Sequence, residues 1–246
     1  MSVTPKLFAT GATGQLGANA VRLLHIDTSI KATGSLSREM SAAAVERLKR
    51  EALDMAVHYR DLAAHPLGDL TGRVFAAHAH GADSGDLDQA ELSDLAESRM
   101  VLEEFMASDV IVMGVPLYNL TVPSSLKAWI DRMLVAGKTF SYGASGVVGL
   151  ARGKRVILLL ARGGLYGEGS PNARHEHAET YLRSIFSMIG VENLEVIVAE
   201  GVDISSELRA AALENAIGSI ETLATAERSE ERRVGKECRS RWSPYH

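Results

Sequence analysis

The chain has 246 residues, of which 46% are apolar and 23% charged, and this composition is typical of a folded domain and argues against a disordered chain. Its net charge of −5 argues against nucleic acid as a partner, and its one cysteine, Cys238, excludes an internal disulfide and a cysteine metal site. No apolar run approaches the roughly 20 residues of a membrane span and the N-terminus does not resemble a secretory signal, so we expect a cytoplasmic protein with no membrane partner.

The first twenty residues carry a glycine pattern without the helix that such a pattern requires. Residues 11–17 read GATGQLG, which resembles the dinucleotide-binding opening of short-chain-reductase-like and NmrA-like proteins. Only three residues separate it from a strand predicted at 21–27, so the helix of a βαβ unit has no room. We interpret residues 1–20 as a leader or fusion remnant. The alternative, a non-catalytic NAD(P)-binding regulator of the NmrA-like kind, depends on this motif alone.

From residue 21 onward, apolar strands alternate with segments of helical spacing. Several strands are continuous apolar runs, which indicates a parallel sheet covered on both faces. The pattern predicts an α/β fold, a flavodoxin-like doubly wound five-stranded parallel sheet with helices on both faces, and places ligands at the carboxyl ends of the strands. The predicted elements are strand 21–27, helix 37–53, strand 56–62, loop 66–85, helix 87–107, strand 110–114, helix 125–137, strand 155–161, helix 181–190, strand 194–199 and helix 205–223.

The loop after the first predicted strand is rich in hydroxyl groups. Gly34 stands among them, just before a predicted helix. Hydroxyls and free backbone N–H groups at a helix N-terminus bind anions, and a phosphate monoester fits such a site. In the alternative, Ser35 or Ser37 only caps the helix. The hydroxyl residues are Thr28, Ser29, Thr33, Ser35 and Ser37.

Two further loops have the composition of a site for a flat polar ring. Residues 115–123 read VPLYNLTVP, in which Tyr118 offers an aromatic face and Asn119 an amide; the alternative is an ordinary proline-rich turn. In the loop after the fourth strand, Gly163 and Gly164 permit close backbone approach, and their N–H groups with Arg162 can stabilise negative charge on a reduced ring. The alternative there is a glycine turn with a surface arginine.

Two His-x-His pairs do not predict a metal site. His78 and His80 form one pair, and His175 and His177 form the other. Residues two apart point to different sides of a helix, and no cysteine or tight carboxylate cluster completes either set. We therefore expect no metal.

Several separated motifs together resemble the FMN-dependent NADH-azoreductase family of flavodoxin-like, acyl-carrier-protein-phosphodiesterase-like proteins. The resemblance spans about residues 21–224. Its strongest stretch is 114–140, and the other matching segments are LLHIDTSI at 23–30, SLSR at 35–38, ARGGLY at 161–166 and AEG at 199–201.

The resemblance implies a role for each of the three loops. The FMN phosphate would be held by Ser29, Ser35, Leu36 and Ser37. The isoalloxazine ring would be lined by Pro116, Leu117, Tyr118, Asn119 and Leu120, and its polar edge would meet Arg162, Gly163 and Gly164. Tyr118 and Arg162 are the candidates for tuning the ring, and no protein nucleophile is expected. Leu117 and Leu120 stand where relatives often carry Met and Phe.

The resemblance also implies an activity. Such a protein is an FMN-dependent oxidoreductase in which NADH or NADPH reduces the flavin and leaves before a quinone or azo compound takes the electrons. Two subunits build the sites in this family, so we expect a homodimer. A quinone-only reductase is the alternative enzyme.

The last nineteen residues differ in character from the rest. Residues 228–246 read RSEERRVGKECRSRWSPYH, carry six basic side chains and show no helical or strand period. The segment resembles the translation of a widely used sequencing adapter, so we interpret it as an artefactual disordered tail. The alternative is a basic arm for anionic partners. The FMN-binding domain is accordingly predicted at residues 21–227.

Overall fold

A computed structural model of the chain describes residues 20–144 and 146–224. The interpretations of the glycine motif at 11–17 and of the tail at 228–246 fall outside these residues and stay predictions. The elements are, in chain order, β1 (Arg22–Asp27), α1 (Leu36–Glu51), β2 (Ala56–Asp61), α2 (Gly72–His80), α3 (Gln89–Ala107), β3 (Val110–Pro116), α4 (Ser124–Met133), β4 (Phe140–Gly143), β5 (Gly146–Gly149), β6 (Arg155–Arg162), a 3₁₀ turn (Ala173–His175), α5 (Ala178–Met188), β7 (Asn193–Glu200) and α6 (Ser206–Glu221).

Five parallel strands form the main sheet in the order β2-β1-β3-β6-β7, which confirms the predicted doubly wound fold. From β1 the chain first winds outward to β2 and then returns to the other side through β3. The strand order therefore reverses between β1 and β3, and the loops that follow these strands diverge. Such a reversal opens a crevice at the carboxyl ends of the strands.

Helices cover both faces of the sheet. The whole of β3 and β6 is buried, as expected for central parallel strands. Helices α1 and α6 pack together on one face, and α3, α4 and α5 cover the other. One apolar face of α4 is buried, with Leu126, Trp129, Ile130 and Met133 inaccessible to solvent. Among the described residues, no helix combines the length and apolar character that a membrane crossing requires.

The prediction of a loop at residues 66–85 is wrong for the middle of this segment, which forms α2. The Thr71 hydroxyl accepts the Val74 N–H at the start of this helix, and left-handed Gly81 ends it. Only Val74 and Ala77 of its nine residues are buried. Two buried residues give almost no helical periodicity in the sequence. The Gly, Asp and His residues around them favoured the prediction of a loop.

A two-stranded antiparallel hairpin, β4–β5, was not predicted. It follows α4, which ends at Met133 and not at the predicted residue 137. Gly149 at its end lies so close to the turn after α5 that an added Cβ would fall 2.2 Å from the Gly190 nitrogen. Glycine is therefore required where the hairpin docks. The strands are four residues long and mostly exposed, so they carry little hydrophobic pattern.

Candidate functional site

One pocket lies at the carboxyl ends of β1, β3 and β6. All three loops singled out in the sequence contribute to it, although they are far apart along the chain. Eight predicted site residues line the pocket, namely Ser29, Ser35, Leu36, Ser37, Pro116, Leu117, Tyr118 and Gly163. Six residues outside the predicted cofactor-binding set complete the lining, namely Lys31, Gly34, Ala161, Val202, Asp203 and Arg209.

Buried hydroxyl groups form one side of this pocket. Ser29, Ser35 and Ser37 are each at least 95% buried. Ser35 is the N-cap residue of α1, yet its side chain accepts no capping hydrogen bond. Its hydroxyl instead pairs with that of Ser37, at 3.2 Å. The capping alternative is therefore wrong for Ser35, and the hydroxyls gather at the positive end of a 16-residue helix, as an anion site requires.

A tight turn at residues 118–121 forms the opposite side. Tyr118 and Thr121 exchange both backbone hydrogen bonds, at 3.0 and 3.1 Å. The two central residues, Asn119 and Leu120, have φ of 47° and 72°. Two positive φ values are the signature of a type I′ turn, which strongly prefers Asn-Gly. Leucine in the left-handed region costs roughly 1–2 kcal/mol, and such strain persists only where neighbouring contacts impose it.

The turn is joined to the hydroxyl cluster. A hydrogen bond of 3.1 Å connects the Tyr118 and Ser29 hydroxyls across the pocket. Asn119 and Leu120 are exposed and lie beside the pocket lining. Their predicted contact with a ring stays a prediction.

Arg162 points away from the pocket. Its neighbours Ala161 and Gly163 line the pocket, and because side chains alternate along a strand, Arg162 projects to the opposite side. Its guanidinium is 2.7 Å from a Glu179 carboxylate oxygen, and it is only 4% exposed. The alternative of a surface arginine is therefore wrong, because this side chain is buried. A direct contact between this guanidinium and the edge of a bound ring does not fit the arrangement.

The glycines of the third loop are fixed by the segment after β7. Asp203 donates its N–H to the Gly163 carbonyl at 3.0 Å, and Gly201 donates to the Gly164 carbonyl at 2.9 Å. An added Cβ on Gly163 would lie 2.7 Å from an Asp203 carboxylate oxygen. The loop can therefore approach both the pocket and Asp203 only because it lacks a side chain at residue 163.

Two cationic side chains lie at the hydroxyl end of the pocket. Arg209, from α6, donates to the Gly34 carbonyl at 2.8 Å, and Lys31 lines the same loop. Arg209 is 175 residues from Gly34 along the chain. No local sequence pattern associates Arg209 with this loop. Lys31, in contrast, lies inside the loop that the sequence predicted as an anion site.

An ion-pair network fixes the position of the loop after β1. Arg38 makes two hydrogen bonds to the Asp61 carboxylate, at 2.7 and 2.9 Å, and one to the Ser29 carbonyl, at 2.7 Å. The hydrogen bond from Arg38 lowers the pKa of Asp61 from 3.8 to about 2. Burial, followed by the charge of Asp27, raises the pKa of Tyr59 to about 12. The network thus ties the position of Ser29 to the end of β2.

We expect the Arg38–Asp61 pair to stabilise the protein at neutral pH and to stop doing so in acid. The folded pKa of Asp61 is lowered, so its contribution is present above pH 3.8 and is lost as the pH falls toward 2. Asp61→Asn should lower the melting temperature at pH 7, and its difference from the wild type should shrink between about pH 4 and 2. Circular dichroism melts across this range measure both effects.

The control for that experiment is Glu46→Gln. Glu46 pairs with Lys49 on the exposed surface of α1, so its removal should change the melting temperature little at any pH. A difference between Asp61→Asn and the wild type that stayed constant down to pH 2 would contradict the assignment.

A wider groove lies elsewhere and does not compete with this pocket. Its lining comes from the β4–β5 hairpin, the end of α5 and the start of β7, with Arg152 and Arg183 among the residues. The start of β7 belongs to the amino edge of the sheet. Ligands of doubly wound sheets bind at the carboxyl edge, where the hydroxyl cluster lies.

Comparison with known proteins identifies the family. A model of the flavodoxin-like fold family matches residues 21–223. The chain belongs to this family. An FMN-dependent NADH:quinone oxidoreductase from Methylorubrum populi is 50% identical over 207 residues, which cover 84% of this chain and 100% of the relative. The FMN-dependent NADH:quinone oxidoreductase 2 of Bradyrhizobium diazoefficiens matches to the same extent. The resemblance stated from the motifs is confirmed.

A solved structure agrees with these relatives. The azoreductase of Bacillus anthracis has a TM-score of 0.73 and 31% identity to this chain, and the match covers 82% of this chain and 100% of that one. The flavodoxin-like fold predicted from the alternating pattern is therefore supported by the strand order and by the family that matches the sequence.

Proposed function

We propose that this protein is an FMN-dependent oxidoreductase that uses NADH to reduce quinones and azo compounds. The observation that carries the proposal is the cluster of buried hydroxyls at Ser29, Ser35 and Ser37, which do not cap the helix behind them. The names of relatives at 50% identity support NADH as donor, FMN as cofactor and a quinone as acceptor, and the similar azoreductase structure supports azo compounds.

The residues of the pocket fit FMN. A phosphate monoester requires several hydrogen-bond donors, which the serines and the first turn of α1 supply, and Lys31 and Arg209 add positive charge nearby. A flat ring requires apolar walls and close backbone, which Leu117, Tyr118 and Gly163 provide. When bound, FMN would supply the two-electron hydride chemistry, which side chains alone do not offer.

The protein's own residues would bind and orient the reactants. The hydroxyl cluster would anchor the phosphate, so that the position of a ring is set by Tyr118 on one side and by the third loop on the other. We propose that NADH and the acceptor use this pocket in turn, in a ping-pong cycle. NADPH as a donor is the second possibility.

The visible absorption spectrum of the purified protein tests this function. We expect flavin bands, as isolated or after FMN is added, that bleach with NADH and return when a quinone or an azo dye is supplied. A return with quinone alone would favour the quinone-only reductase. A chain that stays colourless with FMN would overturn the proposal, and NADH binding by that colourless chain would favour the nucleotide-binding regulator.

We also propose a cytoplasmic homodimer with its reductase domain at residues 21–227. Dependence on NADH and the absence of a disulfide-forming cysteine pair are consistent with a reducing compartment. Exposed apolar side chains on and beside the hairpin, Tyr142, Val147 and Leu150, are consistent with contact to a second copy. Light scattering should give about twice the chain mass, and a value near 26.4 kDa would contradict the dimer.

A further inference from the structure

We infer that Arg162 is a positioning residue, which holds the 118–121 turn in its left-handed conformation through the start of α5. The inference rests on the proposed function, because its main readout is the affinity for FMN. It replaces the expectation that Arg162 touches the ring directly.

The first step is the ion-pair cluster around Arg162. This guanidinium, at the end of β6, is 2.7 Å from Glu179, 3.5 Å from Glu176 and 3.6 Å from Glu200. Glu176 lies two residues before α5, Glu179 lies in its first turn, and Glu200 ends β7. Because Arg162 is 4% exposed, water screens these contacts poorly. The cluster therefore fixes the start of α5 relative to two strands of the sheet.

The second step leads from that cluster to the backbone of α5. The Glu176 carboxylate accepts the N–H groups of Ala178 and Glu179, at 3.1 and 3.0 Å. The residue between Glu176 and Ala178 is His177, whose own N–H donates to the Leu120 carbonyl at 3.0 Å. The position of this donor is thus set by a carboxylate that faces Arg162.

The third step is the turn itself. Leu120 has a φ of 72°, which an L-residue with a branched side chain rarely adopts without an external contact. The hydrogen bond from His177 supplies such a contact. On the other side of the turn, Tyr118 meets the Ser29 hydroxyl at 3.1 Å. A shift of α5 would therefore move the aromatic side of the pocket relative to the hydroxyl cluster.

The test is a double-mutant cycle between Arg162 and Leu120. Glycine adopts positive φ without strain, and Leu120→Gly creates Asn-Gly, the pair that type I′ turns prefer. A turn with glycine should no longer depend on its hydrogen bond from His177. We expect Arg162→Met to weaken FMN binding by roughly tenfold in the wild-type background and by less than about threefold in the Leu120→Gly background.

Arg155→Met is the matched control. Arg155 lies at the other end of β6, where the strand begins. It is 6% exposed and pairs with Glu195 of β7 at 2.6 Å. Its loss should lower the melting temperature of the FMN-free chain about as much as the loss of Arg162, but change FMN affinity by less than about twofold. Arg162→Lys keeps the positive charge, so it should bind FMN much more tightly than Arg162→Met. This comparison tests the role of the charge in a variant that is expected to fold.

The outcomes separate the inference from the proposed function. FMN titrations followed by flavin fluorescence give the four affinities of the cycle. Equal weakening by Arg162→Met with and without Leu120→Gly, or equal weakening by Arg155→Met, would show a merely structural role and overturn the inference while the wild type still binds FMN. A wild-type chain that binds no FMN would overturn the proposed function and the inference together.

Discussion

Gly114→Ala is expected to weaken both the fold and the cofactor site. An added Cβ at this position would lie 2.6 Å from Asp27 Oδ1, 2.7 Å from the Ser37 carbonyl and 3.0 Å from Ser41 Oγ. The Ser37 carbonyl is helix backbone, so turning a side chain cannot relieve that contact. The start of α1 must therefore move away from β3.

The displaced groups are the ones that shape the hydroxyl loop. The Gly114 carbonyl accepts both the N–H and the hydroxyl of Thr28, at 3.2 and 2.9 Å, so a shift of β3 is transmitted to Ser29. Overpacking of this kind costs about 1–3 kcal/mol of unfolding free energy. We expect a lower melting temperature and FMN affinity reduced by roughly tenfold or more, measured by calorimetry and by fluorescence titration.

Gly218→Ala separates this effect from the general consequence of changing a glycine. Gly218 lies within α6, and an added Cβ there meets open space. Alanine has the better helix propensity, so this variant should be stabilised by about 0.5–1 kcal/mol. Wild-type FMN affinity in Gly114→Ala would contradict the view that β3 and α1 jointly set the loop.

The central strands were predictable because strands that are buried on both faces are apolar at consecutive positions in the sequence. Strands β3 and β6 are apolar at nearly every position, and a parallel sheet between helices buries such runs on both faces. Once these strands were placed, topology alone brought the loops after residues 27, 116 and 162 to one edge. The convergence of eight predicted residues on one pocket follows from this rule.

Other features depend on contacts that no local pattern encodes. Helix α2 was missed because two buried side chains, Val74 and Ala77, give too little periodic signal. The direction of the Arg162 side chain was not predictable, because a resemblance assigns a residue to a site without stating which side of the strand it faces. Its three acidic neighbours lie up to 38 residues away along the chain, so their approach is a property of the fold.

The backbone of the 118–121 turn illustrates a third kind of limit. Asn119 favours the left-handed region, but Leu120 opposes it, and sequence propensity alone would not place two positive φ values there. Tertiary contact with the start of α5 decides the conformation. Departures of this kind from local preference tend to occur at functional sites.

Ser37→Ala should discriminate FMN from riboflavin, which lacks the phosphate. The Ser37 hydroxyl is fully buried, pairs with that of Ser35 at 3.2 Å and lies in the first turn of α1. A hydrogen bond to a charged group contributes about 1.5–3 kcal/mol, which corresponds to a roughly 10- to 150-fold change in affinity. We expect a loss of this size for FMN and a change of less than about twofold for riboflavin, each measured by fluorescence titration.

The comparison of two ligands makes the result specific to the phosphate. Any loosening of the pocket would weaken both flavins, because both share the ring and the ribityl chain. Ser98→Ala is the control for loss of a buried serine hydroxyl, since Ser98 lies on α3 and donates its hydroxyl within that helix, to the Asp94 carbonyl at 2.8 Å. Equal weakening of FMN and riboflavin by Ser37→Ala would show that this hydroxyl supports packing and that the phosphate is held elsewhere. Selective loss of FMN would place the phosphate at the start of α1, and with it the orientation of the flavin between Tyr118 and Gly163.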